Sequence, residues 1–285
     1  MTSRVRRCGL ITAAVMIVVG CGDSDSSSAP ATVSPTTPTS SSSSATISPA
    51  PIERVVVATY FSRDGILVAG SRAVAKNDSA RGAVAAVIDG PNVDEVASRY
   101  SSAVPSGTAL RNVTIDQRKA TVDVSAAFTT GGGSLSMRLR VAQIVYTVTR
   151  LGVADSVRFL IDGNAVESIG GEGFIVTNVR QAEFDDLLPP IITEFPTPGA
   201  TVAPSFVFKG LANVFEGTVN FELLDPNGAV IARGFGTGMM GAWGQFQAPV
   251  MFPTRPAGPL VLAVYTVSPK DGSRQNETRL PVRLA

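Results

Sequence analysis

The stretch Gly131–Gly163, GGGSLSMRLRVAQIVYTVTRLGVADSVRFLIDG, decides how the first folded part of the chain is read. It divides into a glycine-rich loop, a helix, a short turn and a buried strand. Ser134 is placed to act as N-cap, because a serine oxygen accepts from a first-turn N–H that has no partner within the helix. Leu135, Leu139, Ala142, Val145 and Tyr146 then recur at helical spacing and make an apolar stripe about one face wide. Ile144, Val145, Thr147, Val148 and Thr149 pull toward a strand, since β-branched side chains lose rotamer freedom in a helix. The spacing outweighs that pull and predicts a helix.

Upstream, Arg54–Phe61 reads as a strand, Ala80–Ile88 as a short helix stopped by Gly90-Pro91, and Pro105–Thr108 as a turn. Leu110–Ile115 and Ala120–Val124 alternate around Asp116–Lys119 and predict a hairpin. Ser156–Ile161 is the last strand, closed by Asp162-Gly163. Ile66–Ala75 reads as irregular. The resulting order, β-α-β-β-α-β, is an α+β layout with helices on a sheet.

Downstream, Phe174–Asp186 is a connector, and Pro189-Pro190 marks a boundary because proline continues neither ladder nor helix. Short runs then alternate with turns: Ile191–Glu194, Phe206–Gly210, Thr218–Leu224, Val230–Gly234, Gln245–Phe252, Leu260–Val267 and Thr278–Leu284. That rhythm predicts an all-β immunoglobulin-like sandwich. Asp225-Pro226-Asn227-Gly228 is a strong turn, since proline presets φ and glycine accepts a positive one. Trp243, the lone tryptophan, reads as a core or edge aromatic, with a ligand platform as the alternative.

The amino terminus has a different character. Met1–Arg7 carries three arginines, Gly9–Gly20 is mostly apolar, and Cys21 follows Val18-Val19-Gly20. The apolar run is too short for a membrane span, which takes about 20 residues. The segment resembles a lipoprotein signal peptide with its lipobox. That resemblance implies cleavage before Cys21, diacylglycerol on its sulfur and further acylation by a chain such as palmitate; ordinary secretion and an uncleaved anchor are the alternatives. Two or more acyl chains hold a protein stably on a membrane, whereas one is marginal. Residues 21–52 are Ser, Thr, Pro and Ala with few charges, too poor in apolar surface to fold, and form a disordered tether. The expected division is therefore 1–20 signal peptide, 21–52 tether, 53–175 α+β domain, 176–190 linker and 191–285 sandwich, and the expected location is the outer face of the cytoplasmic membrane.

Composition excludes much. At 285 residues the chain has room for about two domains at roughly 150 residues each. Losing Arg4, Arg6 and Arg7 with the leader leaves 21 of the 24 basic residues against 23 acidic ones, a net charge of about −2 and no basic face for nucleic acid. There is no histidine, which removes the commonest general base and most zinc sites. Both cysteines, Cys8 and Cys21, lie ahead of the folded part, so no disulfide or thiol nucleophile is expected there.

Two resemblances to known families follow. Ala86–Pro91, Val104–Thr108, Ala120–Ser125, Gly131–Tyr146 and Val157–Gly163 resemble the pattern of the GerMN domain, named from a spore germination lipoprotein. That pattern implies a second short strand near Ile66–Ala75. Pro196–Val202, Gly210–Glu216, Gly234–Gly238, Lys270–Glu277 and Leu280–Leu284 resemble the immunoglobulin-like domain of bacterial spore germination proteins. The resemblances imply binding or assembly modules without catalytic activity or cofactor. Related ring-building modules make self-association an expectation as well.

Candidate chemistry is sparse. Gly131-Gly132-Gly133 ahead of a helix offers backbone N–H groups to an anion but lacks the Lys and Ser/Thr of a phosphate loop. Asp89, Asp94, Glu95, Asp123 and Asp162 could supply a glycosidase pair, although most sit in turns. The Asp-Gly pairs at 64, 89, 162 and 271 read as hairpin or cap signals, not calcium loops. Asn213, Phe215 and Glu216 carry two readings: Phe215 in the core with Glu216 serving an arginine or a turn, or an aromatic between an amide and a carboxylate forming a recognition surface. Three functions stand in order: a non-enzymatic, lipid-anchored adaptor binding an envelope protein or wall component, a homo-oligomeric structural element, and a wall-modifying enzyme. No metal site is expected.

Overall fold

The computed structural model describes residues 52–285 apart from 172, 253–255 and 257. The expected signal peptide (1–20), Cys21 and all but the last residue of the expected tether (21–52) lie outside the described residues. The first domain comprises β1 (Arg54–Arg63), β2 (Ile66–Ala75), α1 (Ser79–Asp89), α2 (Val93–Ala97), β3 (Leu110–Asp116), β4 (Lys119–Val124), α3 (Ser134–Thr149) and β5 (Ser156–Ile161). Three two-residue strands follow, β6 (Asn164–Ala165), β7 (Ser168–Ile169) and β8 (Phe174–Ile175), and a 3-10 segment at Gln181–Leu187 leads to the second domain.

The segment read as irregular, Ile66–Ala75, is a full strand paired antiparallel with β1 along its whole length. Asp64 and Gly65 both have positive φ, 53° and 83°, the conformation of a two-residue hairpin turn. Alternation is missing because Leu67, Val68, Ala69 and Gly70 are all buried, so both faces of β2 are covered. Gly70 is required by close approach, since a Cβ there would fall 2.1 Å from Glu95 Oε1. Glu95 is fully buried, binds Arg72 through both oxygens at 2.7 Å and accepts from the Asn92 N–H at 2.8 Å, closing a capping box at the start of α2. The predicted order is thus corrected to β-β-α-α-β-β-α-β.

The second sheet runs β3-β4-β5-β6, with β3 and β4 antiparallel and β4 and β5 parallel across α3. The β3–β4 turn places Gln117 and Arg118 at positive φ, 45° and 59°. Helix α3 extends through the β-branched run to Thr149. Two expectations for it are corrected. Gly133, not Ser134, occupies the cap position, and Ser134 is already helical; left-handed Gly131 and Gly132 turn the chain in one residue early. Leu135 is 51% exposed, whereas Arg140, Gln143 and Thr147 are buried. The helix is enclosed between the β1–β2 hairpin, α1, β5 and the 3-10 segment, so its buried surface goes well beyond one stripe. Its polar side chains serve backbone: Arg140 donates to the carbonyls of Ala103, Phe128 and Gly131, Thr147 Oγ1 accepts from Tyr60 N–H, and Gln143 Nε2 donates to Tyr60 O.

The second domain contains β9 (Ile191–Phe195), β10 (Thr201–Val202), β11 (Ser205–Ala212), β12 (Thr218–Leu224), β13 (Val230–Thr237), β14 (Gly244–Met251), β15 (Leu260–Val267) and β16 (Arg274–Leu284). They form a sandwich of a five-stranded sheet, β10-β16-β15-β12-β13, and a three-stranded sheet, β14-β11-β9. Phe208 lies between Phe221 and Phe246, with ring centroids 5.5 and 4.9 Å apart, and fills the space between the sheets.

The two domains share a core. Ile192 and Leu211 of the sandwich join the first domain's buried cluster, and Trp243 packs half-buried against the same cluster, away from the core of its own domain. Glu194 of β9 accepts from Tyr60 OH at 2.6 Å and from Arg150 at 2.7 and 2.8 Å. Tyr60 is fully buried and Glu194 is 8% exposed. On the outside, Arg283 reaches both oxygens of Asp94, at 2.9 and 2.5 Å. Ser71 and Thr197 hydroxyls meet at 2.7 Å.

Two expectations can be checked in solution. Glu194→Ala leaves Arg150 facing a buried gap and should cost about 3 kcal/mol or more, read by denaturant unfolding, with Tyr60→Phe costing only about 1 kcal/mol. Stability should also fall at both ends of the pH range. Hydrogen bonds from Arg283, Arg118 and Arg138 hold the carboxyls of Asp94, Asp155 and Asp186 below their ordinary value of 3.8. Their contribution is complete above that value and is lost as pH falls through the lower folded one. Burial raises Tyr60, Tyr100 and Tyr146 above 10.0, so the unfolded chain ionises first and stability drops above about pH 10. Calorimetric Tm should stay level from about pH 5 to 9 and decline outside that window.

Candidate functional site

Asn213, Phe215 and Glu216 lie together on the loop from β11 to β12. Val214 is buried and bridges to Met240, while Gly217 N–H donates to Val214 O at 3.0 Å and Gly238 N–H donates to Gly217 O at 2.7 Å. Glu216 and Gly217 both take left-handed backbone, with φ of 59° and 65°. Glycine is needed at 217, because a Cβ would come 2.9 Å from Gly238 O. Glu216 carries the strain of a side chain in that region. This double reversal throws Phe215 outward, where it is 71% exposed.

The reading that placed Phe215 in the core is therefore corrected. Glu216 sits in the turn, and no arginine pairs with it among the described residues. Phe215 stands at the lip of a groove of about 450 Å³ lined by the apolar Pro190, Val214, Val267 and Pro269 and by the polar Asn213, Glu216, Thr218, Asn220, Thr266, Gln275 and Asn276. The sequence did not point to the last five, which come from three other strands. The one local signal among them is in β12, where Thr218 and Asn220 alternate with buried Val219 and Phe221. Beside the groove, Tyr265 pairs across the sheet with Asn220, and Arg274 stacks on the Tyr265 ring at 4.1 Å while binding Glu222 at 2.7 Å. Burial, then the Glu222 charge, raises the Tyr265 phenol; the bond to Glu222 raises the Arg274 guanidinium. Amides, hydroxyls, one carboxylate and an exposed ring suit recognition of a neutral or weakly charged surface. They include no nucleophile held by a base.

Of the other acidic candidates, Asp89 is the last residue of α1, and the remaining four are engaged elsewhere. Asp94 binds Arg283, Glu95 binds Arg72, Asp123 accepts from Gly163 N–H, and Asp162 binds Arg111 and accepts from Ala126 N–H. A cavity of about 300 Å³ adjoins the triple glycine, but Met137, Ile169 and Phe174 line it and Arg138 is engaged by Asp186. Among the described residues, no group of three or more Cys, His, Asp or Glu side chains is placed to hold a metal ion. No helix among them is long and apolar enough to cross a membrane.

The fold is an α+β module joined to an immunoglobulin-like sandwich with a groove beside its β11–β12 loop. Residues 50–167 match the family described as sporulation and spore germination, and residues 191–273 match the immunoglobulin-like domain of bacterial spore germination. The two matches follow one another along the chain and fall on its α+β domain and its sandwich respectively. Among solved structures it is similar to the first GerMN domain of the sporulation protein GerM from Bacillus subtilis. Identity there is 19%, over 45% of this chain and 98% of that one, with a TM-score of 0.39. The tandem GerMN domains of the same protein share 16% identity over 71% of this chain and 63% of theirs, with a TM-score of 0.41. No curated protein matches the chain.

Because Phe215 is held out by its turn, Phe215→Ala should move stability by no more than about 0.5 kcal/mol. Glu216→Gly should raise it by up to about 1 kcal/mol through relief of the left-handed strain. Thermal unfolding of the two variants separates a displayed aromatic from a structural one.

Proposed function

We propose that this protein is a non-enzymatic adaptor of the cell envelope, lipid-anchored through Cys21 on the outer face of the cytoplasmic membrane, that binds an envelope protein or wall component with its carboxy-terminal domain. The observation that carries the reading is Phe215, a large ring held in solvent by a strained turn at the lip of a groove where amides and hydroxyls gather beside apolar side chains. An exposed aromatic beside convergent amides and hydroxyls is the composition of a binding surface. The buried Tyr60–Glu194–Arg150 contact supports it further, since it makes the two domains one body that can bear on a partner from a fixed direction. The matched domain families carry no enzymatic description, and the absence of histidine agrees with that.

The test is crosslinking of the tagged full-length protein in intact cells of its own host, beside Cys21→Ala and Phe215→Ala. The expected result is one specific envelope component captured with the wild type, lost with Cys21→Ala and reduced severalfold with Phe215→Ala at equal protein level. Capture of the protein's own copies alone would replace the adaptor with a structural assembly. Turnover of purified peptidoglycan would replace it with an enzyme.

A further inference from the structure

Strand β1 leaves part of one edge open. Lys76 N–H donates to Glu53 O at 2.9 Å next to the ladder, which fixes its phase: odd-numbered residues of β1 turn their backbone groups toward β2, and even-numbered ones turn theirs away. The outward groups of Ser62 are paired with Ser101 in both directions, at 2.8 and 2.7 Å. Those of Tyr60 are met by Thr147 at 2.9 Å and Gln143 at 3.2 Å. At Val56 and Ala58 the edge has no partner among the described residues. Val56 is also 61% exposed.

Those two residues line a groove of about 800 Å³ between the domains. Its opposite wall is the outer face of the three-stranded sheet, presenting Val207 and Lys209 from β11 and Gln245 and Gln247 from β14. Each wall repeats every two residues, and Lys209 stands directly opposite Gln247. A two-residue repeat is that of an extended chain. The edge from Arg54 to Ala58 is about 14 Å long, enough for about five extended residues. Proteins normally shield such edges, and here shielding ends at Tyr60 and leaves Ala58 and Val56 open.

We infer that the Val56–Ala58 edge is a strand-addition site that takes an extended, acidic peptide segment of a partner protein. The occupant's backbone continues the β1–β2 hairpin as a third strand, and its alternate side chains face the sandwich. The charge follows from Lys209, which is exposed and makes no ion pair among the described residues, while Arg150 in the same groove is already neutralised by Glu194. A carboxylate on the incoming strand would complete Lys209. This site is separate from the Phe215 groove.

The intact protein, purified in detergent, would be titrated with a labelled, blocked hexapeptide Thr-Glu-Val-Glu-Val-Thr, following anisotropy and amide hydrogen exchange at Val56 and Ala58. Saturable binding with slowed exchange at both amides is expected, and none with the same peptide N-methylated at alternate residues. Val56→Pro removes an outward N–H and leaves the β2 ladder intact, so it should weaken binding about tenfold. Lys209→Glu should weaken it about threefold and favour a lysine version of the peptide, while Phe215→Ala should leave binding unchanged. Absence of binding at millimolar peptide would overturn the proposal, as would wild-type binding by a folded Val56→Pro protein. Exchange at both amides that is already slow without peptide would overturn it too, in favour of the chain's own tether if independent of concentration and of a second copy if not. Should Val56→Pro fail to fold, Lys209→Glu and the N-methylated peptide decide the matter.

Discussion

The molecule depends on one buried carboxylate. Glu194 projects from the first strand of the sandwich into the first domain, where a tyrosine hydroxyl and both arms of an arginine close on it. A carboxylate taken from water is costly unless it is paired and hydrogen-bonded, so the contact is favourable only when all three groups are in place. That condition couples the domains. Tyr60 lies on β1 and Arg150 at the end of α3, so a shift of the sandwich would disturb the first domain's hairpin and its central helix together. Ile192 and Leu211 add apolar continuity around the same point.

Helix α3 shows how a small domain covers its polar debts internally. Enclosed on nearly all sides, it buries an arginine, a glutamine and a threonine, each turned to a backbone group of another segment. Arg140 in particular holds the carbonyls of the loops before and after β3–β4, which is why a loop of three glycines can enter the helix without a capping side chain. Burial depresses the Arg140 guanidinium's affinity for its proton, and the three carbonyls oppose that tendency. Thr147 and Gln143 complete one stretch of the β1 edge, and the same strand runs on past the helix without partners.

Much of this was legible. Strand positions in the sandwich follow from alternation, clearest in β12, where Val219, Phe221 and Leu223 alternate with Asn220 and Glu222. The β3–β4 hairpin and the strand from Ser156 to Ile161 were legible for the same reason. Strand β2 was not, because covering both faces erases the alternation on which such reading rests. Leu135 was misjudged because spacing identifies a stripe but not the height at which the helix leaves the core. At the site, Asn213, Phe215 and Glu216 drew attention by composition. The direction of the ring depended on left-handed backbone at Glu216, which glutamate does not advertise.

The sequence by itself determined two folded segments of different class, the resemblance of each to a spore germination family, and a composition that offers the folded part neither an imidazole nor a thiol. Those properties are local or compositional, set by period, turn residues and counts. Only the tertiary structure decided that Glu194 locks the domains together, that Trp243 leans on the neighbouring core, that polar residues from separate strands gather below Phe215, and that the β1 edge stays open at Val56 and Ala58. Each of these is a distance between residues far apart along the chain, fixed by packing that no single segment encodes.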